Sequence, residues 1–452
     1  MALIGTDKRR MVIGTGKSGL SCARYLRARG LSFDLADTRE SPPAISTVKA
    51  EFPDLELQTG ALDGERLARY DEILLSPGID PQQPSLRFAS EHGALLIGDV
   101  ELFWREAKAP IVAITGTNAK STVTTLVGMM AQAANINVRV GGNLGTPALE
   151  LLDDDAALYV LELSSFQLET VAEFRADVAC VLNLAPDHLD RYPSMQAYYR
   201  AKQRIYSHAR AVVYNREDPM TAPLVPVGTD RVSFGLNMSD LGQFGVLPSS
   251  DGEWLAQGVT RLMPLASLAL RGRHNAANAL AAMAIATSAG IELEAQINVL
   301  KTWSGLAHRC QFVDRIDGVD FVNDSKATNV AAAVAGLNGF AGGQARTVLI
   351  AGGVAKEDDF SALRDALTRS GRALVLIGEA ADLIESQIAD CVAVQRAGSM
   401  QDAVHIARAL AQPGDTVLLS PACASFDMFN NYEERGDTFI EAVASIAKAE
   451  VH

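Results

Sequence analysis

An α/β protein of three domains is what this sequence predicts. Three features carry the prediction. Short apolar runs alternate with helix-period stretches along nearly all 452 residues, the pattern of parallel sheets crossed by helices. Two small-residue loops each follow such a run: Gly14-Thr15-Gly16-Lys17-Ser18-Gly19, with G-x-G-x-x-G spacing, and Thr115-Gly116-Thr117-Asn118-Ala119-Lys120-Ser121-Thr122. At residues 303–309 (Trp-Ser-Gly-Leu-Ala-His-Arg) the helical pattern breaks, and strand–helix alternation then starts afresh.

Charge and cysteine usage narrow the function classes. The formal net charge is −14, with no polybasic block, which argues against broad nucleic-acid or anionic-membrane binding. An anionic small substrate stays compatible, because local charge in a cleft can oppose net charge. Cys22, Cys180, Cys310, Cys391 and Cys423 are scattered without metal-type spacing and read as thiols in a reducing cytoplasm. No apolar run approaches the roughly 18 residues of a membrane span. Lys8-Arg9-Arg10 precedes Met11-Val12-Ile13-Gly14, but the apolar part is too short and Gly-broken for a signal peptide. It reads as a first strand.

Residues 1–98 form the first domain. Strands are expected at 11–13, at 33–37 ending in Asp37, and at 72–75 ending in Ser76-Pro77-Gly78, with a helix over 20–29. This is a Rossmann-like half, with ligand expected at the carboxyl ends of the strands. A lone glycine fingerprint leaves the ligand open: a dinucleotide, a mononucleotide or a nucleotide-sugar diphosphate would use the same glycines. So would plain helix–strand packing.

Residues 99–304 form the second domain. A buried strand at 111–114, the second loop and a helix over 124–134 make a phosphate cradle, in which loop N–H groups and the helix dipole attract the anion. Gly116, Thr117, Asn118 and Ala119 would line it. Lys120 would face the outer phosphates, and Ser121 or Thr122 would offer a hydroxyl to Mg²⁺. Ala119 stands where the general P-loop pattern has Gly. The strand at 158–163 carries Glu162, an acid where such folds hold Mg²⁺. A strand at 178–184 is followed by Ala185-Pro186-Asp187-His188-Leu189-Asp190, which puts His188 in the same layer as Lys120 and Glu162. Asn143 lies in a Gly-rich turn, and Lys202 on a helix over 197–207. Turn-separated short runs at 210–270 predict a small antiparallel β insertion. Arg271-Gly272-Arg273-His274-Asn275-Ala276-Ala277-Asn278 then opens an Ala-rich helix. Asn275 and Asn278 share one face. Asn275 reads as a helix cap, or the pair reads a purine or phosphate.

Residues 305–452 form the third domain, a second Rossmann-like fold with strands at 320–323, 347–351, 373–377 and 416–420. Their ends carry Asp324-Ser325-Lys326-Ala327-Thr328-Asn329, Gly352-Gly353-Val354-Ala355-Lys356 and Ser420-Pro421-Ala422-Cys423-Ala424-Ser425. This positive, hydroxyl-rich rim suits a dicarboxylate or a phosphate.

The motifs at 116–122 (Gly-Thr-Asn-Ala-Lys-Ser-Thr), 141–143 (Gly-Gly-Asn), 161–168 (Leu-Glu-Leu-Ser-Ser-Phe-Gln-Leu) and 183–191 (Asn-Leu-Ala-Pro-Asp-His-Leu-Asp-Arg) resemble those of the Mur ligases. So do 272–278 (Gly-Arg-His-Asn-Ala-Ala-Asn), His308-Arg309 and 323–329 (Asn-Asp-Ser-Lys-Ala-Thr-Asn). Residues 419–429 and 432–436 look most like the D-glutamate-adding branch. The resemblance runs the length of the chain, in order. It implies a first domain that binds UDP, a central P-loop ATPase-like domain and an amino-acid-binding third domain. It implies that ATP drives ligation of D-glutamate to UDP-N-acetylmuramoyl-L-alanine through an acyl phosphate, with Mg²⁺, in cytoplasmic peptidoglycan precursor synthesis.

By matched position, Lys17, Ser18, Asp37, Thr38, Arg39, Ser76, Pro77 and Gly78 would hold the UDP, and Asn143 and Gln167 the muramoyl portion. The P-loop residues with Asn275, Asn278, Arg309, Asp324 and Lys326 would surround ATP. Thr328, Lys356, Ser425 and Tyr432 would take D-glutamate; the family more often has Phe at the last position. Ser121, Glu162, His188 and Lys202 would serve the metal, Lys202 as the counterpart of a carbamylated lysine. Lys120, Lys202, His188 and Lys326 are the catalytic candidates. A monomer that closes on ATP is expected. Three competing readings remain: a relative that adds another amino acid or acts on a folate, an NAD-dependent oxidoreductase, and a non-catalytic nucleotide-binding module. The oxidoreductase would leave the second phosphate loop unexplained. Intact Lys120, Glu162, His188 and Lys202 speak against the third reading.

Overall fold

The first sheet is built from five short strands: β1 (Arg10–Ile13), β2 (Asp34–Asp37), β3 (Leu57–Thr59), β4 (Glu72–Leu75) and β5 (Leu95–Ile97). In this computed structural model, which describes residues 8–449 apart from 190, 271, 341–344, 357 and 389, they run parallel in the order β3-β2-β1-β4-β5. Asp190 and Arg271, which belong to two of the motifs above, lie outside the described residues. The order reverses between β1 and β4, and a crevice opens there at the strand ends. β3 and β5, three residues each, are edge strands that the sequence reading passes over.

The second sheet has nine strands: β6 (Ile111–Thr115), β7 (Val138–Gly142), β8 (Leu158–Glu162), β9 (Val178–Val181), β10 (Ala211–Asn215), β11 (Asp230–Phe234), β12 (Phe244–Ser249), β13 (Gly252–Gln257) and β14 (Thr260–Pro264). Their order is β14-β13-β12-β11-β10-β9-β6-β8-β7. The antiparallel part is confined to β12–β14 and is continuous with the main sheet. β10 and β11, expected within the insertion, instead pair in parallel and extend the P-loop sheet. Their crossover contains a single 3-10 turn, Pro219–Thr221, so no helical period marks it and the stretch imitates a hairpin region.

The third sheet comprises β15 (Gln311–Ile316), β16 (Val319–Asn323), β17 (Thr347–Gly352), β18 (Gly371–Ile377), β19 (Ala393–Arg396) and β20 (Thr416–Leu419). The order is β15-β16-β20-β17-β18-β19, parallel except for the β15/β16 hairpin.

Packing divides the molecule unevenly. Val12, Leu26 and Leu74 of the first domain share one core with Phe103, Ile111, Tyr159 and Leu161. The helix Asp99–Glu106 lies in that core. Glu101, buried on it, accepts the N–H groups of Ala172, Glu173 and Phe174 at 2.9, 3.1 and 3.1 Å. Gly98, a predicted joint, has no slack: a Cβ there would stand 2.3 Å from Thr170 Oγ1. The third sheet keeps cores of its own on its two faces. The five cysteines are free thiols. Among the described residues no helix is long and apolar enough to cross a membrane.

Candidate active site

Loops at the carboxyl ends of the second and third sheets meet at the P-loop. The helix Lys120–Ala133 starts directly behind it, with Ala119 in the left-handed region at φ 65°. Lys120 Nζ folds back onto its own loop, donating to the carbonyls of Gly116 (3.0 Å) and Thr117 (2.8 Å). Lys202 comes from the helix Met195–Gln203 and is not the solvated lysine that helical spacing suggests. It is buried, donates to Gly116 O at 2.9 Å and Thr115 Oγ1 at 3.3 Å, and lies 4.8 Å from the Tyr198 ring centroid. Two ammonium groups therefore share one carbonyl. Burial holds the Lys202 pKa well below the usual lysine range, and neighbouring Lys120 adds to the effect. Burial also lowers that of Lys120. Crowding and desolvation together disfavour a charge on both amines at once.

A chain of contacts crosses the site. Arg309 Nη2, from the third domain, donates to Ser121 Oγ at 2.9 Å. Ser121 Oγ meets Glu162 Oε2 at 2.6 Å. Asn143 Nδ2 donates to Glu162 Oε1 at 2.6 Å. Hydroxyl, carboxylate and amide are thus pre-assembled beside the phosphate loop. His188, itself at φ 56°, is half-exposed, with its Nε2 3.6 Å from Asp187 Oδ2. Burial lowers its pKa, opposed by Asp187 and supported by Lys356, Lys202 and Lys120. The ring is accordingly neutral near pH 7, with a lone pair to offer. The influence of Lys356 shows that the third domain reaches this side of the site too. Among the described residues no three His, Cys, Asp or Glu side chains gather into a metal cluster. The expected donor set mixes a hydroxyl, a carboxylate, an imidazole and a lysine.

A cavity of about 210 Å³ adjoins the loop. Asn118, Ala119, Thr122, Asn275, Asn278, Arg309, Asp324 and Lys326 line it, as expected for the ATP group. Asn183, His274, Leu270 and Cys310 line it as well and were missed. For Asn183 the available signal was its place just past a buried strand. Asn275 is not the helix cap, which is Gly272. As the third helical residue it points its amide sideways and accepts from Asn278 Nδ2 at 3.1 Å. Asp324 is buried and takes Cys310 N–H (3.1 Å) and Ser420 Oγ (2.9 Å); burial raises its pKa to about 6.

The glycine loop borders a second cavity of about 440 Å³, between β1, β2 and β4, lined by Lys17, Ser18, Asp37, Thr38, Arg39, Ser76, Pro77 and Gly78. All eight expected residues come together there. The close fit explains the glycine: a Cβ at Gly19 would stand 1.8 Å from Gly14 O. Asp37 is a brace. Burial raises its pKa, but hydrogen bonds from Arg39 and Thr15 outweigh that and hold the carboxylate far below its usual range. It takes Thr15 N and Oγ1 at 2.8 and 2.7 Å and Arg39 Nε and Nη2 at 2.8 and 2.7 Å.

The remaining expected residues are placed less uniformly. Gln167 is buried in a capping box with Ser164, and its Nε2 donates to Asp99 Oδ2 at 3.3 Å. The structure thus gives it a bracing position at the start of the second domain, against the helix Asp99–Glu106. On the third domain Lys356 Nζ meets Thr328 Oγ1 at 3.4 Å, both open to the cleft. Lys326 Nζ sits 3.7 Å over the Tyr432 ring. Ser425 is buried, and its carbonyl accepts from Met428 and Phe429 N–H. Arg435 ties this rim together, donating to Ser325 Oγ and O and to the carbonyls of Cys423 and Ala424.

A nucleotide-sized cleft in the first α/β unit, and a phosphate loop in the second that the third meets with a basic, hydroxyl-bearing rim nearby, define a multidomain nucleotide-dependent enzyme. Three family models match in chain order: the Mur ligase MurD-like N-terminal domain over residues 8–98, the Mur ligase middle domain over 114–286, and the Mur ligase glutamate ligase domain over 308–423. The chain belongs to the Mur ligase family. It is 51% identical over 448 residues to the UDP-N-acetylmuramoylalanine--D-glutamate ligase of Pseudomonas fluorescens Pf-5, covering 99% of this chain and 100% of that one. The enzyme of the same name from Pseudomonas aeruginosa PAO1 matches at 51% with the same coverage, and that from Legionella pneumophila Lens at 48%, covering 96% and 99%. Among solved structures, the MurF ligase of Thermotoga maritima in complex with ADP superposes with a TM-score of 0.59 at 14% identity, covering 98% of this chain and 97% of that one. It shares the fold.

Proposed function

We propose that this enzyme joins D-glutamate to UDP-N-acetylmuramoyl-L-alanine with hydrolysis of ATP to ADP and phosphate, acting as a monomer in the cytoplasmic assembly of the peptidoglycan precursor. The observation that carries the reading is the contact chain Arg309–Ser121–Glu162–Asn143. It ties the third domain to the phosphate loop and to the acid and amide beside it. The family and the full-length relatives support the same reaction.

The chemistry follows from charge. A carboxylate must attack the γ-phosphate of ATP, and two anions repel. Lys120 and Lys326 offer cations to the phosphates, and Arg309 adds a fixed guanidinium. The acyl phosphate so formed is attacked by the amine of D-glutamate; the C–N bond forms, phosphate leaves with the C–O electron pair, and the amine gives up its proton. Thr328 and Lys356 suit the carboxylates of the incoming amino acid. Mg²⁺ fits the residues present: Ser121 and Glu162 already touch, and His188 is neutral. The ion would supply further neutralisation of the phosphate charge. Lys202, with its pKa depressed, holds the neutral amine that adds to CO₂. An N–C bond forms, a proton leaves the nitrogen, and the neutral amine becomes a carbamate anion able to join that donor set.

Phosphate release from ATP, measured with UDP-N-acetylmuramoyl-L-alanine and each amino acid in turn, tests the assignment. Release is expected with D-glutamate; equal release with L-glutamate, L-lysine or glycine would refute the specificity. The pH dependence of ATP binding is a second check. Burial, with Arg309 next, lowers the Lys326 pKa to about 8. The cationic form that an anion prefers is therefore lost from the free enzyme above pH 8. ATP affinity is expected to be flat below that value and to fall by up to about tenfold per pH unit above it. Lys326→Arg should flatten the profile, because a guanidinium keeps its proton. A wild-type profile flat to pH 9.5 would contradict the assignment.

A further inference from the structure

The P-loop contains a conformational cost and, next to it, a device that counters it. Ala119 stands at φ 65°, ψ 1° immediately before the helix that starts at Lys120, and makes no side-chain cap. The left-handed region is free for glycine and unfavourable for alanine. Such a residue keeps its conformation only where its surroundings over-determine it. What surrounds it is Asn183, at the end of β9. The Asn183 side chain accepts Asn118 N–H on Oδ1 at 2.8 Å and donates from Nδ2 to Asn118 O at 3.1 Å. One amide thus closes on both backbone polar groups of the residue before Ala119. The Asn183 carbonyl accepts Thr117 N–H at 2.9 Å, and Ala185 N–H meets Thr117 Oγ1 at 3.0 Å. The loop is zipped to the end of β9 on one side. On the other, Ala119 packs against the core beneath its helix. Asn118, Ala119 and Asn183 all line the 210 Å³ cavity.

We propose that Asn183 is a positioning residue for the nucleotide, and that its task is set by the alanine at 119: it holds the loop in the left-handed turn from which the helix start at Lys120 faces the phosphates. The proposal rests on the reading of this loop as the ATP site. It has a consequence that a generic packing role lacks. With glycine at 119 the turn costs nothing, and the clamp becomes largely dispensable. The two positions are therefore coupled, and their substitutions must be non-additive.

The test is a double-mutant cycle on the full-length chain: wild type, Asn183→Ala, Ala119→Gly and the double variant. ATP binding is read by titration calorimetry, and KM and kcat by phosphate release. Asn183→Ala is expected to weaken ATP binding about tenfold in the alanine background and only about twofold in the glycine background. KM for ATP should carry most of the effect. Equal losses in the two backgrounds, with the wild type binding ATP, would overturn the clamp and leave the functional reading intact. A wild type that does not bind ATP would remove both. If Asn183→Ala alone fails to fold, the double variant is expected to fold; failure of both would show that Asn183 serves something other than the turn at Ala119.

Discussion

Lys202→Ala is expected to lower the turnover of ATP-dependent ligation by about 10³-fold, the scale on which loss of one preorganised electrostatic group is felt. The side chain is buried beneath the phosphate loop, where its Nζ shares the Gly116 carbonyl with Lys120. Among the described residues no hydrogen bond or ion pair links it to a carboxylate, so it is not one half of a structural ion pair there. Its depressed pKa favours the free amine that a carbamate requires. Truncation leaves a pocket behind the loop of the shape of a short carboxylic acid. Acetate, propionate or a longer homologue at high concentration should therefore restore part of the activity to Lys202→Ala and none to the wild type. Activity within twofold of wild type in the alanine variant would remove the role; loss without any rescue would remove the carbamate.

Arg309→Ala should cost about 10²–10³ in kcat/KM for ATP, and should also blunt the movement of the third domain. The residue is aimed with care. His308 and Cys310 on either side of it have φ of 61° and 44°. Three bonds hold that turn: His308 N–H to Gln311 Oε1 at 2.9 Å, Cys310 N–H to Asp324 Oδ1 at 3.1 Å, and Lys326 N–H to the His308 carbonyl at 3.0 Å. The guanidinium then crosses 188 positions of chain to reach Ser121. The first two sheets share a core and the third does not, so closure on nucleotide is expected to be a motion of the third domain about residues 303–309. Small-angle scattering should show ATP-dependent compaction of the wild type and little in Arg309→Ala. Arg309→Lys should recover little of either, because a point cation lacks the reach and fork of guanidinium. Equal compaction in the alanine variant would show that the contact is a bystander.

Much of this was open to a reading of the chain alone. The P-loop, the glycine loop, Glu162 and the strand-end rim of the third domain announce themselves because their signals are local. An apolar run ending in a small or charged residue puts that residue at the mouth of a parallel sheet wherever the rest of the chain goes. The hairpin of β15 and β16 was legible too, through the Asp317-Gly318 turn with φ of 46° and 77°, and was passed over. β3, β5 and β19 were not legible. Three or four residues long and half exposed, they show neither a buried run nor a clean alternation.

Order along the chain, residue chemistry and strand-end position are properties of short windows, and they were enough to name the fold class and to mark eight of the residues that line the cavity beside the phosphate loop. What tertiary structure alone decided is which of those groups meet. Gln167 turned inward to brace Asp99. Asp37 became the anchor of Arg39. Lys202 was taken from the solvent to the underside of the P-loop, and Asn183, unremarkable in its window, was brought against Asn118. Apart from the Asp37–Arg39 pair, two positions apart, these contacts join residues 65 to 87 positions apart. Burial, not local pattern, sets the hydrogen-bond partners and the proton affinities there, and burial is a property of the assembled domains.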